Sequence, residues 1–329
     1  MTNPLGSTLV LSESDIRRLL DPQSCIAAVE RAFTAYALGG AELPGVIHLD
    51  IPEARGEIHI KGGYLHGGAY YAVKFASGFP GNPALGLPPN GGLVVVCNAR
   101  TGALAAILLD NGYITDLRTA AAGAIAAKHL AREATDTVGV VGTGAQARLQ
   151  VQLLAQVRSF RTVKVWGRRP AAVARCVADI AASGALPHGA RVIAADTVEA
   201  AVSGSDVVIT VTASRTPVVR AAWLRPGCLV IAVGADGADK QELDVDVLAR
   251  ADRVVADSLP QCRRLGEIHH ALDAGALPDS RVTELGRITG GQSPGRTTPS
   301  EIIVCDLTGV GVQDVAAATV VMERAAMSG

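Results

Sequence analysis

The sequence lacks a net charge of either sign, because 30 lysines and arginines nearly balance 31 aspartates and glutamates and leave a formal charge of −1. A basic surface able to attract nucleic acid or an anionic membrane is therefore not expected. The sequence also lacks any run of about 18 uncharged apolar residues, and it does not begin with a charged segment followed by a long apolar stretch. These absences argue against nucleic-acid and membrane partners and predict a cytoplasmic protein that acts on a small molecule.

Patterns typical of metal sites and of disulfide-stabilised folds are missing as well. The 6 cysteines occur singly, without CxxC pairs and without the histidine spacing of a zinc site. We interpret them as reduced thiols in the core, and we expect no metal. Internal repeats, low-complexity tracts and charged tails are also not evident.

The second half of the chain has the pattern of a parallel sheet. A length of 329 residues with 49% hydrophobic residues allows two globular domains. From about residue 137 onward, short β-branched runs alternate with Ala-rich helical stretches, as crossover helices require. The predicted strands are Thr137–Val141, Thr162–Trp166, Arg191–Ala195, Asp206–Val211, Cys228–Val233 and Asp252–Ala256, with Ile302–Asp306 as a candidate seventh. The predicted covering helices are Ala147–Gln156, Ala171–Ser183 and Leu243–Arg250.

The first part of the chain differs, because its strands are separated by Gly, Pro and Asn. Ile58–Gly63, Tyr70–Ala76 and Gly92–Asn98 predict a mostly antiparallel sheet. A helix over Asp116–Ala131 leads into the second domain, and the C-terminal helix Val312–Met327 should pack back on the first. The predicted fold class is α/β. A Rossmann dinucleotide-binding domain spans residues 129–309, and a second α/β domain for substrate binding and dimerisation spans residues 1–128 with 310–329.

A glycine-rich turn lies directly after the first of the parallel strands. Residues 142–147 read Gly142-Thr143-Gly144-Ala145-Gln146-Ala147, a G-x-G-x-x-A motif between a strand and an amphipathic helix. The glycines permit a tight turn and a close approach of pyrophosphate, whose charge is then bound by N–H groups at the helix N-terminus. The motif in this context predicts NAD(P) binding.

The residues that follow the second parallel strand bear on the form of the cofactor. An NAD-specific site usually presents Asp or Glu there, whereas this chain has Gly167, Arg168 and Arg169. An arginine suits a 2′-phosphate, so NADP(H) is slightly favoured over NAD(H). The alternative is that Arg168 only stacks on the adenine and that the cofactor is NAD(H).

Four polar stretches, residues 72–88, 109–122, 233–244 and 306–314, carry a family resemblance in their order and spacing. Through them the chain resembles the ornithine cyclodeaminase/mu-crystallin family over nearly its whole length. The family includes cyclodeaminases, alanine dehydrogenases, ketimine reductases and iminosuccinate reductases, so the fold transfers more safely than the substrate. Residues 60–112 look most similar to the imine reductases and to ectoine-utilisation relatives.

The resemblance implies roles for individual residues. It places Asp236 as the acid/base group at the substrate nitrogen, and Lys74 as the second catalytic-site residue and a ligand of the substrate carboxylate. Hydride transfer to an imine carbon requires a proton on nitrogen, and a carboxyl group after the fifth strand lies at the cofactor crevice. A turn-forming role for Asp236 in its Gly-rich loop is the alternative.

Arg118 and Thr119, predicted near a helix start, fall where the family approaches the cofactor phosphates and the substrate. An arginine beside a helix N-terminus suits an anion, and the alternative is an ordinary ion pair of Arg118 with Asp116 or Asp110. The other positions at which the family lines the cofactor or the substrate are Ala145, Gln146, Thr212, Val233 with Gly234, Lys240, Thr308 and Gly309, the last expected at the substrate.

One position departs from the family. Cyclodeaminases usually present an arginine after a proline near the start of the first domain, and here no arginine follows Pro44. Lys61 lies on an early strand, two residues from His59 and therefore on the same face, and we expect Lys61 to replace the missing arginine. A solvated strand lysine is the alternative, and His59 is interpreted as a structural or edge residue.

These observations predict an NAD(P)-dependent oxidoreductase that reduces a small α-imino acid to an α-amino acid, or catalyses the reverse reaction. Lys61, Lys74 and Arg118 would supply enough charge for two carboxylates, which favours an iminosuccinate-type substrate. The alternatives are an ornithine-type cyclodeaminase that uses NAD⁺ catalytically, and a non-catalytic ligand-binding protein similar to mu-crystallin. A homodimer through the first domain is expected, because one chain cannot cover the apolar face and the edge of its sheet.

Overall fold

The computed structural model describes residues 8–328, and the chain folds as two compact units. The first unit runs from the start of the described residues to Arg118 and resumes at Val310, and the second is Thr119–Gly309. The assignment of dinucleotide binding to residues 129–309, and of substrate binding and dimerisation to residues 1–128 with 310–329, stays a prediction.

The first unit contains a seven-stranded sheet, and two helices lie between its first and second strands. The helices are α1, Glu13–Leu19, and α2, Pro22–Ala37. The strands are β1 (Leu9–Ser12), β2 (Ala41–Glu42), β3 (Ile47–Ile51), β4 (Gly56–Leu65), β5 (Tyr70–Gly78), β6 (Asn90–Asn98) and β7 (Leu104–Leu109). Helix α3, Tyr113–Leu130, then passes from the first unit into the second.

Local sequence explains where the first two helices begin. Ser12 and Asp15 form a capping box at α1, and the Asp21 side chain accepts a hydrogen bond from the Ser24 N–H at the start of α2. Apolar side chains then recur on one face of α2, where Val29 and Phe33 are fully buried. Neither helix was predicted from the sequence.

Besides the C-terminal part of α3, the second unit contains ten strands and seven α-helices. The strands are β8 (Thr137–Val141), β9 (Thr162–Trp166), β10 (Arg191–Ala194), β11 (Val207–Thr210), β12 (Arg215–Val219), β13 (Leu229–Ala232), β14 (Gln241–Leu243), β15 (Arg253–Ala256), β16 (Val282–Glu284) and β17 (Ile303–Asp306). The helices are α4 (Ala145–Leu154), α5 (Pro170–Ala182), α6 (Val198–Val202), α7 (Val245–Arg250), α8 (Leu259–Cys262), α9 (Gly266–Asp273) and α10 (Leu285–Thr289). The chain ends with α11, Gly311–Ser328, which belongs to the first unit.

The main sheet of the second unit is parallel throughout, in the order β10-β9-β8-β11-β13-β17-β15-β16. The seven predicted strands are all present, and β16 at the edge brings the sheet to eight strands instead of six or seven. The strand order reverses between β8 and β11, and ligands of such sheets bind outside the carboxyl ends of the strands at that point.

The sheet of the first unit has the order β1-β7-β6-β5-β4-β2, with β3 also paired to β4. Only the β1–β7 pair is parallel among these described strands. The predicted strands correspond to β4, β5 and β6, whereas β1, β2, β3 and β7 were missed. Helix α11 packs against α2 and across β4 and β5, as expected of the C-terminal helix.

The other face of this first sheet carries apolar side chains. Alternation along the strands points Val10, Ile47, Leu49, Phe75 and Leu109 away from the helix-covered face, and they are 39% to 61% exposed in the single chain. We call this surface the open sheet face. No helix within residues 8–328 has the length and apolar character needed to cross a membrane.

Candidate active site

The glycine-rich turn of the second unit connects β8 to α4. Gly142 has φ +134°, and a Cβ at this position would lie 2.7 Å from the backbone oxygen of Val211, so a side chain does not fit. Helix α4 begins after Gly144, and no side chain among residues 8–328 caps it. The exposed backbone of Gly144 and Ala145 at the positive end of the helix dipole is therefore suited to an anion such as a pyrophosphate.

Arg148 on α4 stabilises this turn, a role that the sequence did not suggest. Its guanidinium donates hydrogen bonds to the backbone oxygens of Thr143 at 2.8 Å and Gly144 at 2.9 Å, and it forms an ion pair with Asp179. Because the arginine binds the carbonyls, the N–H groups of the turn can face a ligand. An arginine one turn into the helix was the only sequence signal.

The end of β9 contacts the same turn. A Cβ at Gly167 would lie 2.6 Å from Thr143 Cγ2, so the glycine permits the close approach. Arg168 and Arg169 follow and are exposed to solvent. The basic pair that was predicted to affect the form of the cofactor therefore lies beside the glycine-rich turn.

A second group of predicted residues lies after β11 and β13. Thr212 follows β11, and Val233 and Gly234 follow β13, whose neighbouring carboxyl ends are paired in register. Asp236 lies two residues further on, and its side chain is 45% exposed. Its Oδ1 lies 2.7 Å from Lys240 Nζ, so two predicted residues form an ion pair in the segment that follows β13.

Thr308 and Gly309 follow β17 in the second unit. Thr308 Oγ1 donates to Asp257 Oδ1 at 2.9 Å, and the Gly309 N–H donates to Asp257 Oδ2 at 2.7 Å. Gly309 has φ +81°, a conformation that favours glycine. Asp257, which follows β15, therefore holds both predicted residues, although sequence reasoning did not single it out.

The first unit brings its predicted cations together on the helix-covered face of the sheet. Lys61 on β4 is the cross-strand partner of Lys74 on β5. Lys74 Nζ and Arg118 Nε each lie 3.0 Å from Asp314 Oδ1 at the start of α11, and Arg118 also donates to Gln313 Oε1 at 2.6 Å. We call Lys61, Lys74, Arg118, Gln313 and Asp314 the cation cluster.

Burial and pairing within this cluster bear on two alternatives that the sequence left open, a solvated Lys61 and an ordinary ion pair of Arg118 with Asp116 or Asp110. Lys61 is 7% exposed, Lys74 2% and Arg118 5%, so Lys61 is not a solvated strand lysine. The ion pair of Arg118 with Asp314 differs from the alternative pairing with Asp116 or Asp110. Asp314 is distant in sequence from both of its cationic partners, and for this reason local pattern did not reveal it.

The cluster has unusual electrostatics, because three cations are buried around the carboxylate of Asp314. Burial, together with the neighbouring Arg118, lowers the pKa of Lys74 to about 7, while Asp314 opposes the shift. Although burial favours its neutral form, Arg118 and Lys74 hold the pKa of Asp314 below its usual range. The arrangement therefore favours a bound anion, which would stabilise the charged form of Lys74.

Three buried polar atoms beside these cations make no hydrogen bond within the described part of the chain: Asp314 Oδ2, Gln313 Nε2 and Asp110 Oδ1. The other oxygen of Asp110 accepts a hydrogen bond from the Ile114 N–H at the start of α3. Buried polar atoms are normally satisfied, so these three indicate a place for a polar ligand. Two acceptors and one donor beside three cations suit a ligand that carries both a carboxylate and an amine or imine.

Fold and site together define an α/β protein with a Rossmann-like NAD-binding unit and a buried cluster of cationic side chains in its other unit. The chain belongs to the ornithine cyclodeaminase/mu-crystallin family, whose family model matches residues 7–329. The sequence-based predictions of this family, of the fold class and of an enzyme are confirmed.

Solved structures of relatives cover nearly the whole chain. An archaeal alanine dehydrogenase, described as a dimer with bound NAD, is 36% identical with a TM-score of 0.89 over 98% of this chain and 97% of that one. The Δ1-pyrroline-2-carboxylate reductase of Thermococcus litoralis, in complex with NADH and L-proline, is 29% identical with a TM-score of 0.91 over 98% of each chain. The iminosuccinate reductase of Paracoccus denitrificans, in complex with NAD⁺, is 31% identical with a TM-score of 0.88 over 98% and 97%.

Proposed function

We propose that this protein uses a nicotinamide dinucleotide to reduce a small α-imino acid to the corresponding α-amino acid, or to catalyse the reverse oxidation. The observation that carries the proposal is the buried cation cluster, in which Lys74 and Arg118 share Asp314. Buried polar atoms of Asp314, Gln313 and Asp110 make no hydrogen bond there with any residue of the described range 8–328. Such a cluster suits the carboxylate of an amino acid, and the glycine-rich turn of the second unit suits a dinucleotide.

We assign separate roles in this reaction to the cation cluster and to Asp236. A bound reduced nicotinamide supplies the hydride for the imine carbon. Lys74 and Arg118, with Lys61 beside them, hold the carboxylate and so orient the carbon–nitrogen bond. Asp236 donates a proton to the substrate nitrogen in reduction and accepts it in oxidation, and its carboxylate forms an ion pair with Lys240.

The specific substrate that we propose is a dicarboxylic imino acid of the iminosuccinate type. Lys61, Lys74 and Arg118 bring three cationic side chains together, and Asp314 makes ion pairs with Lys74 and Arg118. A cluster of lysine and arginine side chains suits a substrate with two carboxylates, and the iminosuccinate reductase of similar fold supports the same choice.

For the cofactor, we propose a preference for NADP(H). No acidic residue follows β9, and the exposed Arg168 lies beside Gly167, which contacts the glycine-rich turn. A guanidinium at this end of the site would bind a 2′-phosphate. The solved relatives named above contain NAD or NADH, so both forms belong in any test.

We also propose a homodimer through the open sheet face. Apolar side chains at five positions of this surface are 39% to 61% exposed in the single chain, and patches of this kind mark interfaces. The archaeal alanine dehydrogenase of similar fold is described as a dimer. A symmetric pairing of this face would cover Phe75 and Leu109 in both copies.

The proposed function is tested by following NADH and NADPH oxidation with α-keto acids and ammonia or methylamine, including oxaloacetate and pyruvate. Oxidation with oxaloacetate and ammonia, and formation of aspartate, would support the specific substrate, whereas activity with pyruvate alone would restrict it to a monocarboxylate. Conversion of ornithine to proline with release of ammonia and no net change in NAD⁺ would instead identify a cyclodeaminase. Dinucleotide binding without any turnover would identify a ligand-binding protein.

A further inference from the structure

Three carboxylates that the proposed reaction does not use are buried in the second unit. Glu242 on β14 is 0% exposed, and Glu267 on α9 and Asp306 on β17 are each 1% exposed. None of them makes an ion pair with a lysine or arginine in the part of the chain that the structure describes. We call Glu242, Glu267 and Asp306 the carboxylate chain.

The first member connects the two strand ends at the cofactor crevice. Glu242 Oε1 accepts a hydrogen bond from the Thr212 N–H at 2.6 Å, and Oε2 accepts one from the Gly234 N–H at 2.8 Å. A Cβ at Gly234 would lie 2.2 Å from the backbone oxygen of Thr212 and 2.5 Å from Glu242 Oε2. Glycine is therefore required for the carboxylate to bring these two segments together.

The other two members hold Glu242 in place through the same kind of contact. Glu267 accepts hydrogen bonds from the N–H groups of Glu242 at 2.7 Å and Leu243 at 3.0 Å. Asp306 Oδ2 accepts from the N–H groups of Glu267 at 2.8 Å and Ile268 at 2.9 Å. Glu267 and Asp306 thus each bind two adjacent N–H groups of one segment, whereas Glu242 binds one N–H group of each of two segments. The series extends from the end of β17 to the ends of β11 and β13.

Burying three carboxylates costs free energy that a purely structural link between backbone segments does not require. Burial raises the pKa of Glu242 to about 7 and that of Asp306 to about 8. Neutral carbonyl or hydroxyl oxygens could accept hydrogen bonds from the same N–H groups without burying charge. The carboxylates of Glu242 and Glu267 differ from such groups because their two equivalent oxygens hold two N–H groups at a fixed separation, whereas Asp306 accepts both of its hydrogen bonds with Oδ2.

We propose that Glu242 is a positioning residue, which fixes the separation of Thr212 and Gly234 at the dinucleotide site and thereby the start of the loop that carries Asp236. The location of the dinucleotide and the role of Asp236 rest on the proposed function. Glu242 acts through the backbone of these segments, and Glu267 and Asp306 act through Glu242.

The test is Glu242→Gln, with Asp206→Asn as the matched control. The glutamine has the same shape but directs an NH₂ group at one of the two backbone N–H donors, so one segment must move. Asp206 Oδ2 likewise accepts hydrogen bonds from the N–H groups of Asp136 and Thr137, each at 2.9 Å. These contacts lie at the amino ends of β11 and β8, whereas Glu242 acts at the carboxyl ends of β11 and β13. Asp206 also forms ion pairs with Arg132 and Arg225, so the control should cost at least as much stability.

Three quantities are measured for each protein: the thermal midpoint, the dissociation constants of NADH and NADPH by fluorescence titration, and kcat at saturating cofactor. We expect Glu242→Gln to weaken dinucleotide binding about tenfold or more and to lower kcat about tenfold to a hundredfold. Asp206→Asn should lower the midpoint while the dissociation constants stay within about twofold of the wild type. Equal binding and turnover in the two variants would overturn the proposal.

If Glu242→Gln does not fold, Glu267→Gln is compared with Asp206→Asn by the same criteria. Failure of both glutamine variants to fold while Asp206→Asn folds would also overturn the proposal, because the carboxylates would then serve only the core. A wild-type protein that binds dinucleotide but reduces no imino acid contradicts the proposed function, and the dissociation constants still decide the role of Glu242. A wild-type protein without dinucleotide affinity contradicts both.

Discussion

Asp314→Asn is expected to change the pH dependence of substrate binding, because Asp314 forms an ion pair with Lys74 and thereby affects the pKa of that lysine. The substitution preserves the shape of the side chain and removes its charge. Asp314 Oδ1 lies 3.0 Å from both Lys74 Nζ and Arg118 Nε. At an effective dielectric constant of about 20, each contact corresponds to roughly 5 kcal/mol before desolvation is considered.

The stability cost follows from burial of the whole cluster. Removing one partner of a buried ion pair typically lowers the free energy of unfolding by about 3–5 kcal/mol, because the remaining charge is left uncompensated. Proteins with unfolding free energies of about 5–15 kcal/mol can tolerate such a loss. The variant should therefore fold with a clearly lower thermal midpoint, and it can be assayed at reduced temperature.

The functional effect has a definite sign. Lys74 binds a carboxylate best when protonated, and burial lowers its pKa to about 7, so affinity for the substrate should fall as the pH rises through that value. Asp314 opposes the lowering, and its loss must lower the pKa further. A change of only about 1.4 kcal/mol in this interaction moves the pKa by about one unit. The fall in affinity should therefore begin at least about one pH unit lower in the variant.

The assay is calorimetric titration of the amino-acid product at saturating oxidised cofactor between about pH 5.5 and 8.5, since the free imine would change with pH. Gln313→Met is the control, because Gln313 lies beside Asp314 on the first turn of α11. The substitution removes a hydrogen bond to Arg118 but no charge. The control should weaken binding at every pH and leave the midpoint of the pH profile unchanged. A midpoint in Asp314→Asn equal to that of the wild type would refute the reasoning.

Three further predictions concern the proton donor, the cofactor and the dimer. Asp236→Asn should lower kcat by about 10²- to 10⁴-fold without loss of dinucleotide affinity, whereas Asp239→Asn in the same loop should leave kcat unchanged. Near-normal kcat in the Asp236 variant would exclude Asp236 as the acid. Arg168→Asp should weaken NADPH binding much more than NADH binding in fluorescence titrations, and equal losses would leave Arg168 as a stacking residue. Phe75→Asp on the open sheet face should give a monomer by light scattering at micromolar concentration, while Leu85→Asp, at an exposed position outside the strands, should not; a dimeric Phe75 variant would place the interface elsewhere.

Local sequence determined much of the second unit. β8 and β9 have the bounds that their β-branched runs predict, because buried parallel strands read as continuous apolar segments. The glycine-rich turn was also readable, since a strand, two glycines and a helix lie within a few residues of one another. These features depend on neighbours in the chain, and a linear pattern records them directly.

The pairing of charged side chains depends on tertiary contacts, which local sequence does not predict. Lys74 and Asp314 are separated by 240 residues, and Thr212 and Glu242 by 30, so no local period links them. The burial of Lys61 depends on α11 covering its strand, and the apolar open sheet face depends on β1, β3 and β7, which the sequence did not reveal. Ionisable groups acquire their pKa values and their roles from partners that are brought close only when the sheets and helices pack.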